Sequence, residues 1–143
     1  MTSQLRNPSG RNGAPLFYAG WAGFALFGSL VTIDGNAEVS YAVSHVLVAA
    51  AICIWHAMTT GKAAPIVGAV LGALFGLQMA FFVISDNFIS AEPLKVKLED
   101  AFGLLAAVLI LIGVVLDLRG RRTAVRLTRA TIGGSSDPSR ERG

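Results

Sequence analysis

The two histidines are the residues of this chain best suited to acid–base or metal chemistry, and both fall in one apolar segment, residues 39–58. His45 and His56 are separated by about 16 Å along a helix that rises 1.5 Å per residue. They therefore cannot bind the same metal ion or the same haem iron. Ligation of a haem by two histidines would need a histidine from a second chain. No cofactor is therefore expected for this protein.

His45 lies about two turns inside the predicted membrane boundary. An ionisable side chain at that depth usually points into the bundle toward a polar partner. The expected partners are Glu99 and Asp100, which lie at similar depth at the start of the last apolar segment. Two interpretations remain open: a hydrogen-bonded clasp between helices, or a functional group such as a proton relay or a pH sensor.

Cys53 and His56 are three residues apart, so they share one helix face and are weak candidates for copper or zinc binding. A metal site needs three or four ligands, and the nearby Met58 points off that face. No metal is therefore predicted. Because His56 follows Trp55 near a predicted membrane boundary, it is expected to anchor the helix at the interface.

The composition places these residues in a membrane protein. Of the 143 residues, 53% are hydrophobic and 15% are charged, whereas a soluble domain is typically about 25% charged. The abundance of Ala, Gly, Val, Leu and Arg is typical of a high-GC bacterium. The sequence therefore predicts a multi-pass protein of a bacterial cytoplasmic (inner) membrane.

Four apolar segments predict an all-α bundle of four transmembrane helices in one membrane domain, residues 15–118. The helices are predicted over residues 15–33, 39–58, 63–85 and 94–118, preceded by a flexible leader (1–14) and followed by a basic, largely disordered tail (119–143). Pro15 and Pro93 are suited to the first turn of a helix. The first segment could instead be a cleaved signal peptide, although its apolar run exceeds the usual signal core of about 7–15 residues.

Charge predicts the orientation of this bundle. With four spans, ten of the twelve Lys and Arg residues lie on the side of the chain termini. The positive-inside rule then predicts that both termini are cytoplasmic. Similar short motifs near residues 14 and 64, 25 and 73, and 34 and 86 raise the alternative of a tandem two-helix repeat.

Small residues recur in the first and third segments. In the third they follow every fourth position, which keeps them on one helix face where a neighbouring helix can approach closely. The sequence predicts that the first and third helices pack through these faces. The residues concerned are Gly20, Gly23, Gly28, Gly68, Gly72, Gly76 and Ala80.

The arginines that follow the last apolar segment predict contacts with anionic lipid headgroups. Nucleic-acid binding is not predicted, since the tail has no aromatic residue on which a base could stack. The arginines closest to the membrane are Arg119, Arg121, Arg122 and Arg126.

These features favour a non-enzymatic accessory or assembly subunit that acts through helix–helix contacts, as a homo-oligomer or with a membrane-protein partner. Two alternatives stay open. One is a small transporter or channel whose polar path includes His45, Gln78 and Asp100, with Asp34 and Asp86 at its outer rim. The other is a holin-like, pore-forming protein.

Overall fold

Four helices make up the computed structural model, which describes residues 11–35, 37–88 and 93–133. They are α1 (Ala14–Ile33), α2 (Val39–Met58), α3 (Ala63–Phe88) and α4 (Leu94–Gly133). All four are long and apolar enough to cross a membrane, and the described residues include no strand. The predicted all-helical membrane architecture is therefore confirmed, and it indicates a multi-pass membrane protein.

Local sequence explains most of the helix ends. Pro15 lies in the first turn of α1, where its missing amide hydrogen costs no hydrogen bond. Gly35 follows the C-cap of α1 with a φ of 75°, a left-handed conformation that glycine adopts without a Cβ clash. Thr59 ends α2 in an extended conformation, and Pro93 immediately precedes α4.

Helix α4 extends well beyond its predicted end at residue 118, since it continues to Gly133. The prediction ended the helix where the hydrophobicity ends, which marks a membrane boundary rather than a helix terminus. Residues 119–133 contain no proline and include five arginines and two alanines, which favour helix. The prediction of disorder for residues 134–143 lies outside the described residues, as does most of the predicted leader.

Helix α4 is the central packing partner, because both α1 and α3 lie against it. Helix α2 packs against α1 and barely touches α3. Within the described chain, the α1 and α3 backbones lie diagonally across the bundle and do not pack on each other. The predicted packing of the first helix against the third through their glycine faces is therefore wrong for most of these residues, since of the predicted glycines Gly68 alone meets a side chain of the predicted partner helix, that of Phe17 in α1.

Small residues on α1, α3 and α4 explain this arrangement. A Cβ atom placed on Gly20 of α1 would lie 2.6 Å from the backbone nitrogen of Ile110, and one placed on Gly72 of α3 would lie 2.6 Å from the Ile110 side chain. Ala106 and Ala107, both buried, occupy the same strip of α4. Two helices can thus approach α4 closely from different sides.

The remaining predicted packing residues have different neighbours. Gly23 faces Ala106, and Gly76 faces Ala107. Gly28 of α1 faces the His45 side chain of α2, and Gly68 of α3 faces the Phe17 side chain of α1. Ala80 is half-buried on α3.

The core has two layers. The layer nearer the chain termini contains Phe17, Trp21, Ala49, Ile52, Ile110 and Val114. The other contains Phe27, Phe75, Met79, Ala106 and Ala107. Charged residues cap both layers, and we call the end with residues 11, 57–62 and 117–126 the basic end and the end with residues 34, 86 and 95–100 the acidic end.

Candidate functional site

A buried polar network joins three helices at the basic end. The Tyr18 hydroxyl of α1 lies 2.9 Å from Nδ1 of His56 in α2. Nε2 of His56 lies 3.3 Å from Oδ2 of Asp117 in α4. Nε of Arg121, one turn further along α4, donates to the same oxygen at 2.7 Å. His56 and Asp117 are fully buried, and Arg121 is 8% exposed.

Charge balance and hydrogen bonding assign the state of His56. Asp117 and Arg121 form a one-to-one ion pair, so a neutral imidazole keeps the buried cluster neutral. With its proton on Nε2, His56 donates to Asp117 and accepts the Tyr18 hydroxyl hydrogen at Nδ1. Nη2 of Arg121 lies 3.4 Å from the same Nε2, a contact that in this tautomer is not a hydrogen bond. This assignment follows from the bonding pattern, and it leaves Oδ1 of Asp117 as a buried atom without a partner among the described residues.

The same end of the bundle holds the α2–α3 loop through its carbonyl oxygens. Nη1 of Arg121 donates to the carbonyls of Thr60 and Gly61, the second at 2.8 Å. Arg11 donates to the carbonyl of Thr59 at 2.5 Å and to that of Ala57 at 3.3 Å. The two guanidinium groups therefore tie the loop to α4 and to the start of α1.

Two predictions for this region need correction. His56 is not an interfacial anchor, because its ring is buried with a centroid 4.5 Å from that of Phe17. Arg121 does not face lipid headgroups, because its donors are directed at Asp117 and the loop. Arg119, Arg122 and Arg126 are exposed, so contacts with headgroups stay a prediction for them.

His45 does not reach its predicted partners. Its Nδ1 donates to the backbone carbonyl of Tyr41 at 2.9 Å, and its ring stacks on Phe24 with centroids 4.4 Å apart. A Cβ atom on Gly28 would lie 2.5 Å from the His45 ring. Helices α2 and α4 lie diagonally within the described chain, so the clasp between His45 and Glu99 or Asp100 is wrong.

The acidic residues at the other end contact one another and Lys95. Asp100, 7% exposed, is hydrogen-bonded to Asp86. Asp34, which follows α1, forms an ion pair with Lys95. Hydrogen bonding with Glu99, and next with Lys95, lowers the pKa of Asp34. These contacts join the loop after α1 to the start of α4.

Gln78 lies apart from both ends. Its side chain is exposed on the outer surface of α3 and hydrogen-bonds with no described residue. No contact joins His45, Gln78 and Asp100 among the described residues, since His45 is half-buried against Phe24, Asp100 is buried and Gln78 is exposed. The polar path of a transporter stays a prediction.

Cys53 is half-buried against the core layer near the basic end. In the described part of the chain, no group of three His, Cys, Asp or Glu side chains could hold a metal ion.

Sequence reasoning missed Asp117 altogether. Asp117 and Arg121 have the four-residue spacing of a helical ion pair. That spacing was the available signal. The partnership with His56 was not visible in the sequence, because it depends on how α2 and α4 are placed at the basic end.

No known protein family, curated protein or solved structure matches this chain.

Proposed function

We propose that this chain is a non-enzymatic membrane subunit that assembles through the outward face of α3 with a second copy of itself. The supporting observation is the amide of Gln78. It lies eight residues, or about 12 Å at 1.5 Å per residue, before Asp86 at the end of the candidate span. That depth is inside a hydrocarbon core of about 30 Å.

An amide facing lipid is unfavourable. Transfer of such a group from water to a hydrocarbon that cannot hydrogen-bond costs about 4–8 kcal/mol. Polar side chains in membrane helices therefore tend to bond across helix interfaces. Since Gln78 has no partner among the described residues, the bond is expected from another chain.

The residues around Gln78 have the spacing of a helix-packing seam. Steps of four and three residues connect them, the repeat with which two helices pack in a left-handed pair. Leu74 and Phe81, on either side of Gln78, are 61% and 64% exposed. We call this set the α3 seam: Val67, Leu71, Leu74, Gln78 and Phe81.

A second copy of the chain fits this seam because an amide is both donor and acceptor. Two copies inserted in the same direction and related by a two-fold axis along the membrane normal bring their Gln78 side chains to the same depth. Each amide can then donate to the other. The glycine faces do not provide this contact, because they pack on side chains of the same chain.

Gln78→Leu tests the assembly. Removing the amide is expected to raise the dimer dissociation constant about fivefold, corresponding to roughly 1 kcal/mol for an interhelical polar contact in a membrane. Gln78→Asn should stay close to wild type. Förster transfer between labelled copies in liposomes, diluted with lipid, gives the constant.

Leu77→Ala is the matched control, because Leu77 is 72% exposed on α3 but lies outside the seam. A monomeric wild-type chain at all lipid dilutions would refute the proposed homo-oligomer. Equal dimerisation of wild type and Gln78→Leu would refute the role of the seam.

We also propose that the basic end faces the cytoplasm of a bacterium, as the positive-inside rule predicts. A cysteine introduced at Gly61, after Cys53→Ser, should react with a membrane-impermeant maleimide only in inverted vesicles. One introduced at Gly35, in the loop at the acidic end, should react in intact spheroplasts. The opposite labelling pattern would refute this orientation.

A further inference from the structure

A cavity of about 720 Å³ opens at the basic end beside the buried network. The start of the described chain, the α2–α3 loop and α4 residues 121–126 form its walls. The cationic side chains in the wall are Arg11, Lys62, Arg121, Arg122 and Arg126, and no described carboxylate lines it.

Most of this positive charge has no counter-charge among the described residues. Asp117 neutralises Arg121, and within the described chain Arg11 donates to neutral carbonyl groups. The side chains of Lys62, Arg122 and Arg126 form no ion pair or hydrogen bond with any described residue. Like charges around one cavity repel each other, and an anion bound between them would offset this repulsion.

The local backbone strengthens this preference for an anion. Four carbonyls at the end of α2 and in the loop that follows, those of residues 57 and 59–61, already accept from Arg11 and Arg121. Lys62 directly precedes the first residue of α3, and the N-terminus of a helix carries partial positive charge. The wall therefore offers donors rather than acceptors.

We propose that this cavity binds a phosphate group, with Lys62, Arg122 and Arg126 as the ligand-binding side chains. Arginine presents paired N–H groups that match phosphate oxygens, and lysine adds a compact charge. The Arg121–Asp117 pair fixes the wall. A phospholipid headgroup and a free phosphate have this chemistry in common, and binding does not depend on the proposed dimer.

Native mass spectrometry of the full chain in mild detergent tests the site with two probes, dioleoylphosphatidylglycerol and inorganic phosphate. For a headgroup site we expect a one-to-one adduct with the lipid. We expect no adduct with dioleoylglycerol, which lacks the phosphate. A phosphate adduct that competes with the lipid identifies free phosphate as a ligand of the same site.

Variants that each remove one positive charge distinguish binding in the cavity from general attraction of the probes to the basic end. Lys62→Gln and Arg122→Gln should each weaken the adduct about fivefold, the effect of roughly 1 kcal/mol per cation. Arg119 lies beside Arg122 and Arg126 but does not line this cavity. Arg119→Gln therefore removes the same charge from the general basic surface, and it should weaken the adduct less than about twofold. Absence of adducts with both probes, or equal loss in all three variants, would overturn the proposal.

Discussion

Gly113→Ala is expected to destabilise the bundle strongly, because helix α1 begins directly against the backbone of α4. A Cβ atom on Gly113 would lie 2.4 Å from the backbone nitrogen of Phe17 and 2.7 Å from its Cα atom. These are backbone atoms, so no side-chain rotation can relieve the clash. The two helices would have to separate at the basic end.

The expected loss of unfolding free energy is about 1–3 kcal/mol, the usual cost of overpacking, or more where the backbone must move. Gly13→Ala should behave similarly, since its Cβ atom would clash with the carbonyl oxygen of Gly113. Reversible unfolding in mixed micelles, followed by circular dichroism as the fraction of SDS rises, measures the difference.

Gly61→Ala is the matched control, because a Cβ atom there would meet nothing within 4 Å. If Gly113→Ala unfolds at the same SDS fraction as Gly61→Ala, the close approach of α1 and α4 is incorrect.

The same experiment on Gly72→Leu should show destabilisation of the single chain, because Gly72 packs on Ile110 of the same chain.

Asp117→Leu is expected to destabilise the chain by about 3–5 kcal/mol, the cost of removing one partner from a buried ion pair. The substitution leaves the guanidinium of Arg121 buried without a counter-charge and removes the acceptor for His56. The loop carbonyls of Thr60 and Gly61 would still accept from Arg121, but they cannot neutralise it.

The double variant Asp117→Leu with Arg121→Leu should recover much of this loss, because no unpaired buried charge then remains. A double-mutant cycle, measured in the same SDS titration, gives the coupling between the two side chains. Arg122→Leu is the control, since Arg122 lies next to Arg121 but is exposed. Additive effects of the two single variants would show that Asp117 and Arg121 do not interact.

The start of each helix and the ends of α1 and α2 could be predicted from the sequence. Pro15, Pro93 and Gly35 mark helix boundaries by their own conformational limits, and uncharged runs of adequate length predict spans wherever they occur. The end of α4 could not be predicted in this way. Hydrophobicity reports contact with lipid, whereas a helix continues into water as long as its residues favour it.

The same distinction, between what composition indicates and what helix packing decides, applies to the candidate sites. The sequence by itself determined that His56, Gln78 and the arginines after α4 are polar groups within or beside a membrane, since burial in lipid depends on composition. Only the tertiary structure decided that His56 bonds to Asp117, that Gln78 faces outward and that Arg121 faces inward. A polar side chain can point in several directions around a helix, and its partner is set by which helices become neighbours. Here small residues let α1 and α3 lie close to α4. Which helices become neighbours therefore depends on close packing between parts of the chain that are distant in sequence.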